Sequence, residues 1–170
     1  MRAAILSRLR GDSVLAALLP GGIFDAAEVD YVSKHTTPGA FDGNIRVRPC
    51  ALLRLSGDRP LGPFRTSSQL TATLYLYQRR GTDAIEPARL RIKQLLHRVR
   101  LSPDAGGAWE ITSIGDDLGQ TDAALDCPLI ICRYRIPVRS AELAPAAFAL
   151  LLEDGSALLL EDGARLLLEA

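Results

Sequence analysis

Apolar and polar positions change period within the stretch 68–101, SQLTATLYLYQRRGTDAIEPARLRIKQLLHRVRL, around which the rest of the chain is organised. Leu70, Ala72, Leu74 and Leu76 alternate with Thr71, Thr73, Tyr75 and Tyr77. That two-residue period predicts a strand buried on one face. Arg79-Arg80-Gly81-Thr82-Asp83 breaks the alternation, and apolar residues return at Ala84, Ile85, Ala88, Ile92, Leu95, Leu96 and Val99. This is helical spacing, so the unit is strand, tight connection, amphipathic helix. Thr82 or Asp83 is the expected N-cap, Glu86 sits near the positive end of the helix dipole, and Pro87 is tolerated in the first turn.

The N-terminal residues 2–19 have the spacing of one or two short helices broken at Gly11-Asp12, with Asp12 or Ser13 as cap and Pro20-Gly21-Gly22 as the stop. Ile23 and Phe24 begin a short extended piece. The mixed polarity of 25–44, with turn signals at Pro38-Gly39 and Asp42-Gly43, predicts a flexible loop. Ile45, Val47, Ala51, Leu53 and Leu55 can share one orientation, which predicts a strand from 45 with Pro49 at an edge or bulge. Residues 57–63 then form a connection to an antiparallel neighbour. After the helix, a turn at 102–107 leads to a short strand at 109–114, a polar connection at 115–126 and a last strand at 129–138. Helix, strands, helix, strands predicts an α+β domain over 1–138, its sheet mainly antiparallel and its helices on one face.

The C-terminus differs in kind. After a linker at 139–146, the sequence Leu-Leu-Leu-Glu-Asp-Gly occurs twice, and Leu-Leu-Leu-Glu once more, within 147–170. Asp-Gly between apolar runs is a hairpin signal, and glycine at this spacing costs a helix about 1 kcal/mol each. A three-stranded meander follows as the expectation. So apolar a strip needs cover, from its own body or a neighbouring chain. Phe148, Leu150, Leu152, Leu158, Leu160, Leu166 and Leu168 are the candidate inter-subunit contacts.

Composition adds limits. The chain has 170 residues, enough for one domain plus an appendage, and 20 Lys+Arg balance 20 Asp+Glu. Zero net charge nominates no polyanion as main partner and offers little self-repulsion against association. Arg89, Lys93, Arg98 and Arg100 form a candidate basic interface or lumen face, the plain alternative being solvation. Cys50, Cys127 and Cys132 lack metal-ligand spacing and are expected as buried free thiols. Arg8, Arg10 and Asp12 interrupt the N-terminal apolar run, so neither a signal peptide nor a membrane span is expected there, and synthesis is expected to be cytoplasmic. No phosphate-binding glycine loop, nucleophile elbow or zinc-protease motif occurs. His35 and His97 are expected at the surface, the acidic run Asp116-Asp117 with Asp122 and Asp126 as a solvated connection, and Tyr75 and Tyr77 in cross-strand packing. No catalytic residue, cofactor or metal is expected.

Residues 2–24, where a helix runs into Gly-Gly-Ile-Phe, resemble the opening of the tail-completion, or tail-terminator, proteins of long-tailed bacteriophages. The strand and helix of 70–96 also resemble that family, and Leu53-Arg54-Leu55 is similar to its preceding strand. The stretch 25–44 is longer than the family's usual proline-containing loop, and the leucine repeat is additional. The resemblance implies a structural ring, usually of six copies, at the head-proximal end of the tail tube. There it would stop tube growth and join the head connector. It further implies a virion neck location after assembly in the host cytoplasm, with itself, the tail tube protein and a head-closure or connector protein as partners, DNA at most as passing cargo, and no membrane. A head-closure or adaptor protein, and a small-ligand or enzymatic α+β domain, are the alternatives.

Overall fold

In the computed structural model, residues 1–61, 67–101, 110–139, 148–149 and 167–168 are described. The predicted central strand is β3 (Ser67–Tyr77), flanked on both sides, and the helix after it is α4 (Ile85–Leu96). Two helices, α1 (Arg2–Arg10) and α2 (Ser13–Leu18), precede β1 (Ile23–Asp25) and α3 (Ala26–Val29), and β2 (Cys50–Pro60) leads to β3. After α4 come β4 (Val99–Arg100), β5 (Glu110–Asp122) and β6 (Cys127–Arg139). The six strands make one sheet in the order β1-β2-β3-β6-β5-β4. Only the β1–β2 pairing is parallel; the others are antiparallel. The fold is α+β.

Alternation in β2, β3 and β6 divides the sheet into two faces. Ala51, Leu53, Ala72, Leu74, Leu76, Ile130, Cys132, Tyr134 and Ile136 point to one face, where they pack with Ile5, Leu9 and Leu15 of α1 and α2 and with Ile85, Ala88, Ile92 and Leu96 of α4. Full burial of each large aliphatic side chain contributes about 1.5–3 kcal/mol, which makes this layer the main source of stability. Polar contacts fix the helices in place. Asp12 caps α2 by accepting from Leu15 N at 2.8 Å, and it also receives Arg91 of α4 in a two-pronged contact at 2.6 and 3.1 Å. That hydrogen bond from Arg91, and then the Leu15 amide, hold the Asp12 carboxyl below its ordinary range. The stabilisation is therefore present above the ordinary carboxylate range and is lost as pH falls through the lowered value. Arg8 Nε donates to the Leu95 carbonyl at 2.7 Å, and Arg10 donates to the Ile23 carbonyl at 2.8 and 3.0 Å.

The segment 26–49 departs from the expected flexible loop followed by a strand. It carries α3 and a 3-10 turn at Pro38–Ala40, and Phe41 bridges to Val47. Asp42 Oδ1 accepts from both Asn44 N and Arg46 N, at 2.9 and 2.8 Å, closing the turn in which Ile45 takes φ 63°. Asp and Gly in this stretch thus mark turns of an ordered cover. Val32, Ala40 and Val47 join Cys50, Leu52, Tyr77, Cys127 and Leu129 in a second apolar cluster, which lies on the sheet face opposite the α1, α2 and α4 helices. Helices therefore do not occupy one face alone, since Ala26 and Val29 of α3 pack against this second cluster. Gly21 sits where the chain after α2 passes close to the start of β2. Its N–H donates to the Pro49 carbonyl at 2.9 Å, and a Cβ there would fall 2.8 Å from that oxygen.

Three other boundaries differ from expectation. Strand β2 begins at Cys50 and runs through Gly57 (φ 71°) in a bulged section between Ser56 and Arg59, so part of the anticipated connection is strand. Strand β5 runs through the anticipated polar connection as far as Asp122, with irregularities between Ser113 and Gly115 and between Asp117 and Gln120. Of the extension, β7 (Phe148–Ala149), just before the first leucine run, and β8 (Leu167–Leu168), in the third, are an antiparallel pair, whereas neighbours pair in a sequential meander. Residues 150–166, with the first and middle leucine runs, lie outside the described residues.

The start of α4 is capped neither by Thr82 nor by Asp83. Gln78, at the end of β3 and only 7% exposed, accepts from Ala84 N and Ile85 N at 3.0 and 3.2 Å while its amide donates to Arg80 O and Asp83 Oδ1. A side chain beyond the strand does the capping because the connection doubles back over it. Gln78→Ala is expected to destabilise the protein by about 1–3 kcal/mol, read as a lower urea midpoint with an unchanged m-value. Thr82→Ala, by contrast, is expected to leave the midpoint nearly unmoved.

Candidate interaction surfaces

The basic helix face anticipated from sequence is divided by the fold. Arg89 is turned inward: its side chain is 15% exposed, and it donates to Asp116 Oδ2 at 2.8 Å and to Glu86 Oε1 at 3.0 Å. The hydrogen bond to Asp116 raises its already high pKa further. Asp116 belongs to the acidic run expected as solvated, yet its side chain is only 10% exposed. Lys93, Arg98 and Arg100 are exposed, Lys93 on α4 and the other two around β4. Arg89 is thus committed to an intramolecular network that Lys93, Arg98 and Arg100 do not share. Of the candidate inter-subunit residues, Phe148 falls in β7 and Leu168 in β8, paired with each other across the two strands. Leu150, Leu152, Leu158, Leu160 and Leu166 lie outside the described residues.

His97 is not a free surface histidine. It is half-buried, and its Nδ1 accepts from Ser113 N at 3.1 Å, just past the two-residue β4 where β5 loses its ladder partner. All three cysteines are free and buried. Burial pushes the Cys50 and Cys132 thiols up to about 12 and Cys127 up to about 11. Thiols so placed are packing groups, not nucleophiles. Tyr77 is likewise buried in the second cluster, with Tyr75 packed against it in part.

Among the described residues, no group of three or more His, Cys, Asp or Glu side chains is gathered for metal binding, and no helix is long and apolar enough to cross a membrane. An open cleft of about 550 Å³ separates the 26–49 cover from the β5–β6 turn, lined by Lys34, His35, Phe41, Ile45, Arg46 and Asp126 among others. It offers cations and apolar surface, and His35 has no hydrogen-bond partner among the described residues to make it a base.

A further surface was not singled out from sequence. Where the cover ends, the second sheet face stays open and carries arginines: Arg54 and Arg59 on β2, Arg133 and Arg135 on β6, separated by Gln69, Thr71 and Thr73 of β3. Arg54, Arg59 and Arg135 are exposed, and Arg133 pairs with Asp117 at 2.8 Å on the same face. The signal was in the alternation Leu53-Arg54-Leu55 and Cys132-Arg133-Tyr134-Arg135-Ile136. Only the strand register shows that these arginines come together.

No protein-family model matches this chain, and no curated protein matches it. A chain from the virion of a native gene transfer agent (GTA) particle is similar in structure, with a TM-score of 0.57 and 20% sequence identity over 82% of this chain and 95% of that one. At that identity the likeness is one of fold.

Two measurements follow from these placements. Asp116→Ala leaves Arg89 with Glu86 alone and is expected to cost roughly 3 kcal/mol, against about 0–1 kcal/mol for Asp117→Ala at the exposed Arg133 pair; thermal or urea melts of both variants compare them. A thiol-specific chromogenic reagent is expected to react slowly with the native chain and to titrate all three cysteines once denaturant is added.

Proposed function

We propose that this chain is a structural component of a phage-like particle and performs no chemistry: a tail terminator that assembles as a ring at the end of a tail tube and joins it to the head connector. The observation that carries the virion reading is the fold shared with a chain of the gene transfer agent virion, aligned over nearly the whole of that chain. The tail-terminator role within it rests on the resemblance of residues 2–24 and 70–96 to that family.

A ring requires one surface to meet a different surface on the next copy, repeated about an axis. The basic sheet face and the leucine-rich extension are two such unlike surfaces. The virion neck is then the location, the tail tube and head-connector proteins the partners, and DNA only passing cargo. Negative-stain electron microscopy and mass measurement on the purified full chain test this. Closed rings with a central hole, near six times 18.3 kDa, are expected. A monomer at high concentration would sink the ring, whereas rings that dock to a portal or head connector but not to tail tubes would favour the head-closure role.

A further inference from the structure

The zero net charge conceals a division. Residues 1–139 hold nineteen Lys+Arg and fourteen Asp+Glu, while residues 140–170 hold one and six, so a body of +5 carries an extension of −5. Charge asymmetry of this kind points to an interaction between the parts or with a common partner.

Within the body, most helical arginines are already engaged. Arg8 and Arg10 bind backbone carbonyls, Arg2 lies 3.4 Å from the buried Asp25, Arg89 holds Asp116, and Arg91 holds Asp12. On the open sheet face, Arg54, Arg59 and Arg135 have no carboxylate partner among the described residues, and Asp117 is taken by Arg133. That face is therefore a cationic platform. Its central strand supplies the short side chains of Thr71, half-buried, and Thr73, buried, between the exposed Arg54 and Arg135 and the half-buried Arg133.

The extension has matching chemistry. Glu153-Asp154, Glu161-Asp162 and Glu169 recur every eight residues, each following a run of three leucines. Carboxylates suit guanidinium groups, which bind them in paired hydrogen bonds. The extension leaves the body where Arg139 pairs with Ser67, at the end of the sheet that also holds Arg59. The eight residues before Phe148 span at most about 28 Å, enough to reach over to an adjoining molecule.

We infer that the arginine face of one copy receives the acidic leucine-rich extension, residues 140–170, of a second copy. This rests on the ring reading above, and it names the two surfaces that meet at each contact. The ionic part makes the contact salt-sensitive, and the direction from extension to face makes it heterologous.

The test uses the full chain and two charge-reversed variants: Arg54→Glu with Arg135→Glu on the face, and Glu153→Lys, Asp154→Lys, Glu161→Lys and Asp162→Lys on the extension. Sedimentation velocity reads the assembly and circular dichroism the fold. Each variant alone is expected to fold and to need about tenfold more protein, or greater, for half-assembly. An equimolar mixture is expected to regain assembly, because reversed face then meets reversed extension and native face meets native extension. Assembly of either variant at the wild-type concentration would overturn the inference while leaving the ring intact. Failure of the mixture to assemble, with both variants folded, would overturn it too and point to docking within one chain. A wild-type chain that stays monomeric removes the ring reading and this inference together.

Discussion

Strand β3 is hydrogen-bonded along its length to β2 on one side and β6 on the other, and its two rows of side chains are covered by different parts of the chain. Leu74 and Leu76 are fully buried beneath the helices, while Tyr77 is covered from the opposite side by the 26–49 segment. A strand buried on both faces at one end and on one face at the other sets the remaining constraints. The helices must gather over the continuous apolar row. The cover must reach only as far as the second row stays apolar, and beyond it polar side chains face outward.

Side chains at the ends of elements transmit this arrangement. Gln78 ties the end of β3 to the start of α4, Asp12 ties the start of α2 to the middle of α4, and His97 ties the end of α4 to β5. Each satisfies backbone groups that regular structure leaves open, so each joins two elements while removing an unpaired donor. The three together confine α4, which carries Arg89 and Arg91. Arg89 and Arg91 are held by Asp116 and Asp12, while Lys93, Arg98 and Arg100 beside them and Arg54, Arg59 and Arg135 on the sheet stay exposed.

Much of this was legible in the sequence where period alone decides. The β3 alternation, the α4 spacing, the break at Gly11-Asp12 with Asp12 as cap, the antiparallel β2–β3 pairing and the burial of all three cysteines follow from local pattern and chemistry. The cover over 26–49 was not legible, because its apolar residues Val32, Ala40 and Val47 are spaced by turns and no single period collects them. Strand β5 was hidden for a related reason. Gly115 and Gly119, with the polar run around them, look like a connection when read alone and become strand through pairing to β6. The arginine face needed the register of β2 against β3 and β6, which is long-range information. Arg89 looked like surface because its partner Asp116 lies twenty-seven residues away.

The sheet's outer strands have one more consequence. β1 has three residues and β4 two, while β2 and β5 depart from regular register at Ser56/Arg59, Ser113/Gly115 and Asp117/Gln120. Short or irregular borders make a poor template for another molecule's backbone, so stacking of strand upon strand without limit is disfavoured. Side-by-side growth of the sheet into a fibre is what such borders work against.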